Sequence, residues 1–217
     1  DPFAGHVARK ALTCKAISVA VRNALKARPF STEVVTIAGH TGGVRSVAAA
    51  PDGRVVSGSA DNTIKVWRDG ACVRTIEAPR LDGDVVGGQD VSALAVLPGG
   101  SRFFSVSHDS ETARLWALDG TLERGFRAWG ADALAVTSDG MHLVLPTTPR
   151  EDSTSDEIRL YRLDGTLVHT FEGHDSFVKA LSVTRDGQHI ISGSQDLRVK
   201  AWSVATKSLV STCEGHT

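Results

Sequence analysis

The chain has 217 residues, 41% of them hydrophobic, with 24 Lys and Arg against 25 Asp and Glu. That composition provides for a sizeable core and excludes a disordered chain. The near-zero balance excludes a whole-molecule field that would draw the protein to nucleic acid or to an anionic membrane. The three cysteines, Cys14, Cys72 and Cys213, are widely spaced with no pair at metal-ligand spacing, which favours a reducing compartment. Lys15 and Arg22 interrupt the longest apolar stretch, short of the roughly 20 residues a membrane span needs.

Residues 1 to 32 read as helix from Ala4 to Ala27, rich in Ala, Leu and Val, with Pro29 as the stop. Between Pro2 and Thr32 stand Arg9, Lys10, Lys15, Arg22, Lys26 and Arg28 with no acid, a bias that resembles an organelle transit peptide. Val7, Ala11, Cys14, Ser18, Val21 and Leu25 recur at helical spacing and equally suit a helix docked on a neighbouring surface, which is the favoured reading. The expected location is cytoplasmic, with organelle import as the alternative.

From Glu33 the pattern changes to short β-rich runs punctuated by Gly and Asp, repeating about every 40 to 50 residues. Gly39-His40, Val44 to Ala50, Pro51-Asp52-Gly53, Val55 to Ser59, Asp61 and Ile64 to Trp67 recur as Gly173-His174, Phe177 to Val183, Arg185-Asp186-Gly187, Ile190 to Ser194, Asp196 and Val199 to Trp202. Between them, one copy runs from Gly88-Gln89 through Ser105 and Asp109 to Trp116, and another from Ala131 through Asp139-Gly140 to Tyr161. Gly215-His216-Thr217 begins a further copy. Asp-Gly pairs at 52–53, 139–140 and 186–187, and again at 69–70, 119–120 and 164–165, mark tight turns between strands. Each copy predicts a four-stranded sheet too small to bury both faces alone, so the apolar faces must pack between stacked sheets.

This pattern resembles the WD-repeat family over residues 33 to 217, in four copies of which the third is degenerate. The resemblance implies an all-β, WD-repeat β-propeller. Its four four-stranded blades, at about 39–78, 79–127, 128–171 and 172–217, would form part of a seven- or eight-bladed ring preceded by the N-terminal α-helix. It also implies a buried hydrogen-bonded set in each well-kept blade: His40, Ser57, Asp61 and Trp67 in the first, and His174, Ser192, Asp196 and Trp202 in the fourth. These are structural residues, because an unsatisfied buried polar group costs on the order of 1 to 3 kcal/mol. Gln89, Ser105, Asp109 and Trp116 retain part of the set; the copy ending at Tyr161 lacks it and is expected to be the softest. Arg68, Ala117, Arg162 and Ser203 follow the terminal aromatics, so the family's Trp-Asp pair is absent, and with it the box that docks some members on ubiquitin-ligase adaptors.

In such a fold Glu33 to Ala38 would serve as an outer strand of the closing blade. Every copy already has its own outer strand, so the sequence predicts further blades from a longer chain or from association with another chain.

The residue types of a Ser-His-Asp relay stand at His108-Asp109-Ser110 and His174-Asp175-Ser176. Adjacent residues on an extended chain point to opposite sides, so neither run forms a relay. There is no Gly-x-Ser-x-Gly elbow, phosphate-binding loop or His-Glu-x-x-His site. The expectation is a non-enzyme without cofactor or metal. Arg45, Ser92, Asp132 and Lys179 align just after the start of the innermost strands, and His108 and Gln195 precede the repeat's Asp. These are the candidate partner-binding residues, at what the resemblance makes the mouth of a central channel. The acidic insertion from Pro146 to Glu157 reads as a solvated loop that could also receive a basic partner or a phosphate. The leading functional reading is a protein-protein interaction scaffold that binds proteins or peptides, with no direct nucleic acid and no membrane span. A regulatory or sensor repeat module of a larger enzyme or signalling protein, and a structural subunit of a large organellar or ciliary assembly, are the alternatives.

Overall fold

A computed structural model of the chain describes residues 36–77, 90–107, 112–128, 131–147, 155 and 157–215. The N-terminal helix at 1–32, the first half of the strand expected at Glu33 to Ala38, Gln89, His108, Asp109 and the greater part of the acidic insertion lie outside the described residues. Thr36 to Ala38, the end of that expected strand, carry no regular structure.

Sixteen strands form four four-stranded antiparallel sheets, each in sequence order. The first blade is β1 (Val44–Ala49), β2 (Val55–Ser59), β3 (Thr63–Arg68) and β4 (Ala71–Glu77). The second is β5 (Ala93–Val96), β6 (Arg102–Ser107), β7 (Thr112–Ala117) and β8 (Leu122–Arg127). The third is β9 (Ala135–Val136), β10 (His142–Thr147), β11 (Glu157–Arg162) and β12 (Leu167–Phe171). The fourth is β13 (Val178–Val183), β14 (His189–Ser194), β15 (Arg198–Ser203) and β16 (Ser208–Glu214). No helix is long and apolar enough to cross a membrane among the described residues.

The turns follow from local chemistry. At Asp69-Gly70 both residues adopt positive φ (50° and 84°), the pair that a two-residue hairpin needs to match strand twist. At Asp119-Gly120 and Asp164-Gly165 only the glycine does, and the Asp carboxylate instead accepts the N–H of Thr121 or Thr166 two residues on, at 2.9 Å in each case.

Alternation along the strands sends side chains to the two faces of each sheet, and the core forms between sheets. Val56, Ile64, Val66 and Ile76 of the first blade meet Val91, Leu94, Phe103 and Trp116 of the second. Phe104, Val106 and Leu115 of the second meet Leu134, Leu143, Leu145 and Tyr161 of the third. Val144, Ile158, Leu160 and Phe171 of the third meet Val178, Ile190 and Trp202 of the fourth. The innermost strands adjoin one another along this stack, β1 against β5, β5 against β9 and β9 against β13. Two inner strands are shorter than the sequence suggests. Ser92 and Asp132 therefore lie just before β5 and β9 rather than inside them, whereas Arg45 and Lys179 are the second residues of β1 and β13.

Candidate functional site

In the first blade His40 enters from the loop before β1, Ser57 from β2, Asp61 from the turn after it and Trp67 from β3. His40 Nδ1 lies 2.8 Å from Asp61 Oδ2, and His40 Nε2 lies 2.7 Å from Ser57 Oγ. Trp67 Nε1–H donates to the same Ser57 Oγ at 2.7 Å. A carboxylate only accepts, so Nδ1 carries the imidazole proton and Nε2 accepts from the Ser57 hydroxyl. The fourth blade repeats the arrangement. His174 Nδ1 lies 2.7 Å from Asp196, His174 Nε2 lies 2.7 Å from Ser192 Oγ, and Trp202 Nε1–H donates to Ser192 Oγ at 2.8 Å.

The Ser-His-Asp connectivity is that of a nucleophilic relay, formed by residues 17 and 21 positions apart rather than by the adjacent runs. It is closed to chemistry for two physical reasons. Ser57 and Ser192 are buried, at 5% and 0% exposure, so no substrate carbon reaches Oγ. The indole N–H also occupies one of the two lone pairs of that oxygen and helps to fix the hydroxyl in place.

The carboxylates are held strongly. Burial pushes the Asp61 pKa up, but hydrogen bonds from the Thr63 hydroxyl, the Thr41 N–H, His40 and the Thr63 N–H outweigh it and hold the carboxyl well below its ordinary value. At Asp196 burial is again the largest influence, and it is outweighed by His174 and the N–H groups of Asp175 and Arg198. Each carboxylate thereby ties two backbone segments, the loop before the inner strand and the start of the third strand, to one buried imidazole.

In the second blade Trp116 Nε1–H donates to Ser105 Oγ at 2.8 Å, so this half of the set is present. In the third blade Leu145 pairs with Arg159 where Ser57 pairs with Lys65, and Tyr161 stands where Trp67 does. Sequence reasoning registered the missing Trp but not Leu145, which only strand register identifies as the counterpart of the serine.

Arg45 donates to Asp90 at 3.0 Å, and Lys179 to Asp132 at 2.6 Å, each pair joining two neighbouring blades beside the inner strands. Arg45 and Lys179 remain 58% and 46% exposed, enough to meet a partner from solvent. The Ser92 hydroxyl donates to the Asp90 carbonyl at 3.5 Å. The Gln195 N–H donates to the Phe177 carbonyl at 2.9 Å, which holds its turn against the start of β13 and leaves Gln195 exposed. The Lys179 ammonium also lies 5.4 Å from the centre of the Phe177 ring. Asp90 escaped the sequence reading because it pairs with a residue 45 positions earlier in another blade. His108 lies outside the described residues.

Two segments, residues 31–68 and 165–203, match the family model for the WD domain, G-beta repeat. The chain is 29% identical over 201 residues to the nuclear distribution protein PAC1 of Arthroderma otae, covering 78% of this chain and 42% of that protein. It is 29% identical over 182 residues to the small ribosomal subunit protein RACK1y of Oryza sativa subsp. japonica, covering 77% and 49%. It is 25% identical over 195 residues to human Striatin-3, covering 83% and 23%. The chain thus spans less than half the length of these relatives.

Proposed function

Because this chain is built of WD repeats, we propose that it is a protein-interaction scaffold or adaptor whose rigid blades present loops and inner-strand ends to other proteins. The observation that carries this reading is the closure of both His-Ser-Asp-Trp sets. The residues best suited to chemistry are spent on fixing loops, and the solvent-facing polar residues cluster beside the inner strands instead. Its relatives, named as a nuclear distribution protein and a ribosomal subunit protein among others, agree with a non-catalytic role.

The proposed contact surface is the edge carrying Arg45, Ser92, Asp132, Lys179 and Gln195. Arg45 and Lys179 are already balanced by Asp90 and Asp132, so the surface selects a partner by shape and by exchange of these hydrogen bonds rather than by net charge. A peptide library screened against the immobilised protein, followed by polarisation titrations, tests this. Arg45→Glu with Lys179→Glu is expected to weaken a selected peptide about tenfold or more, while Arg124→Glu on the outer strand β8 leaves it unchanged. Peptides that bind both variants as they bind the parent would overturn the placement of the site.

A further inference from the structure

Asn62 and Leu197 stand at the same point of their blades, one residue after Asp61 and Asp196 in the turn between the second and third strands. Both turns are closed alike. The Asn62 N–H donates to the Ser59 carbonyl and the Leu197 N–H to the Ser194 carbonyl, each at 3.3 Å, and the two residues adopt positive φ, 66° and 67°. Asparagine suits that conformation, because its short amide bonds locally in the left-handed region, whereas a leucine carries the steric cost of its Cβ against the backbone. Asp196 imposes the conformation. It accepts from the N–H groups of Asp175 and Arg198 and holds the His174 imidazole, so the turn is fixed from both sides whichever residue occupies position 197.

Leu197 is 53% exposed, so little packing offsets that cost. Asn62 is exposed as well, although the second blade follows the first, so exposure belongs to this position of the turn and not to the place of the fourth blade in the chain. The same rim carries further contact groups. The Gln195 N–H binds the Phe177 carbonyl, which brings the half-buried Phe177 beside the turn, and the Lys179 ammonium lies 5.4 Å from the centre of that ring. Lys179 is the extra residue of a β-bulge in β13, between Val178, paired with Ser194, and Ala180, paired with Gly193. A bulge of this kind re-aims the side chain it carries. Outward of the turn, Arg198 is shared by the carboxylates of Asp175 and Glu214, both exposed.

We propose that Leu197 is an apolar anchor for an extended peptide segment of a partner, which sets a leucine- or phenylalanine-like side chain between Phe177 and Leu197 and a carboxylate on Lys179. This rests on the scaffold reading and deepens it by naming the chemistry of the ligand. The incoming carboxylate takes the place of Asp132, so the Lys179 ammonium stays paired throughout the exchange. Asp175 and Glu214 repel an acid on the outer side of the turn, which puts the carboxylate on the side of the inner strand. Lys179 stands on the first strand and Leu197 between the second and third, a separation of roughly 7 Å at the usual strand spacing, or about two residues of extended peptide. The motif is therefore an acid and an apolar residue two positions apart. Because the polar set has already fixed the turn, Leu197 gives up little backbone freedom on binding.

The test is a peptide array that embeds Glu-x-Leu and Leu-x-Glu in randomised flanks and is probed with the full chain. The strongest peptides are then titrated by fluorescence polarisation beside controls with Ser in place of the Leu or Lys in place of the Glu. Both controls are expected to bind about tenfold more weakly. Leu197→Asn is expected to weaken the selected peptides about tenfold and to leave the Ser control unchanged, the coupling of two side chains in contact. It is also expected to raise the melting temperature by about 2 to 4 °C, since position 62 shows that asparagine fits this turn. Selected peptides that bind Leu197→Asn as they bind the parent, a Ser control that binds as well as its parent peptide, or a variant that melts lower overturns the anchor. If Arg45→Glu with Lys179→Glu loses the peptides while Leu197→Asn keeps them, the anchor falls and the contact edge stands. An array without a binder overturns both.

Discussion

The third and fourth blades have the same four-strand order, yet they are held together by different means. The fourth buries His174, Ser192 and Trp202 in a hydrogen-bonded set anchored on Asp196. The third has Leu145 and Tyr161 in the places of serine and tryptophan, and its Leu143, Val144 and Leu145 are fully buried between the blades on either side. Phe126 lies against Tyr161 with ring centres 5.4 Å apart, and Phe104 packs edge-on to Phe126. The sheet itself therefore does not depend on the polar set. What the set adds is a fixed position for the loop before the inner strand and for the start of the third strand, which Asp196 ties together.

Substitutions in the two blades can break this comparison. The largest effect is expected from Trp202→Ala, which removes both a buried indole at 2% exposure and the donor to Ser192, at about 3 to 5 kcal/mol in denaturant unfolding. Ser192→Ala is expected to cost about 1 to 3 kcal/mol, because it leaves the indole N–H and His174 Nε2 buried without their partner. Tyr161→Phe keeps the ring volume and is expected to cost about 1 kcal/mol or less. Equal losses from Ser192→Ala and Tyr161→Phe would remove the distinction between a polar-tied and an apolar-tied blade.

Acid sharpens the comparison further. Asp61 and Asp196 have folded-state pKa values below those of the unfolded chain, so their contribution is complete above the ordinary carboxylate value of about 4 and is lost as pH falls through the lower folded values. Asp61→Asn is expected to lower stability at neutral pH and to flatten the loss of melting temperature below about pH 4. Asp139 of the third blade is also held below its ordinary value, first by the Thr137 hydroxyl, but this contact is within one turn and ties no distant segment. Its Asn variant is expected to change the acid limb less. The smallest effect falls on the exposed pairs: Arg45→Ala or Lys179→Ala is expected to shift unfolding by no more than about 1 kcal/mol, so any loss of partner binding can be assigned to the surface and not to the fold.

Much of this was legible in the chain because its signals are short-range and repeated. Val55–Ser59 and Thr63–Arg68 alternate or run apolar within a few residues, and Asp69-Gly70 encodes its own turn. The serine, aspartate and tryptophan stand at matching offsets from one another in two copies, and the family resemblance assigned them, with the histidine, to one polar set before their distances were known. The alignment was less secure where a copy departs from the pattern. Ser92 and Asp132 precede their strands because β5 and β9 are short, a length no local motif specifies.

By itself the sequence determined most of the strands, their turns and the fourfold repeat, since each depends on the backbone preferences of neighbouring residues or on a spacing repeated along the chain, while the membership of the polar sets followed from the family resemblance. Tertiary structure alone decided that Leu145 replaces a serine, that Arg45 and Lys179 reach Asp90 and Asp132, and that Val91 fills the space over Gly58. The reason is physical: the place of Leu145 is fixed by the pairing of whole strands, and the others are contacts between blades, between residues 33 to 47 positions apart, whose meeting depends on how two folded sheets pack and not on the local preference of either chain segment.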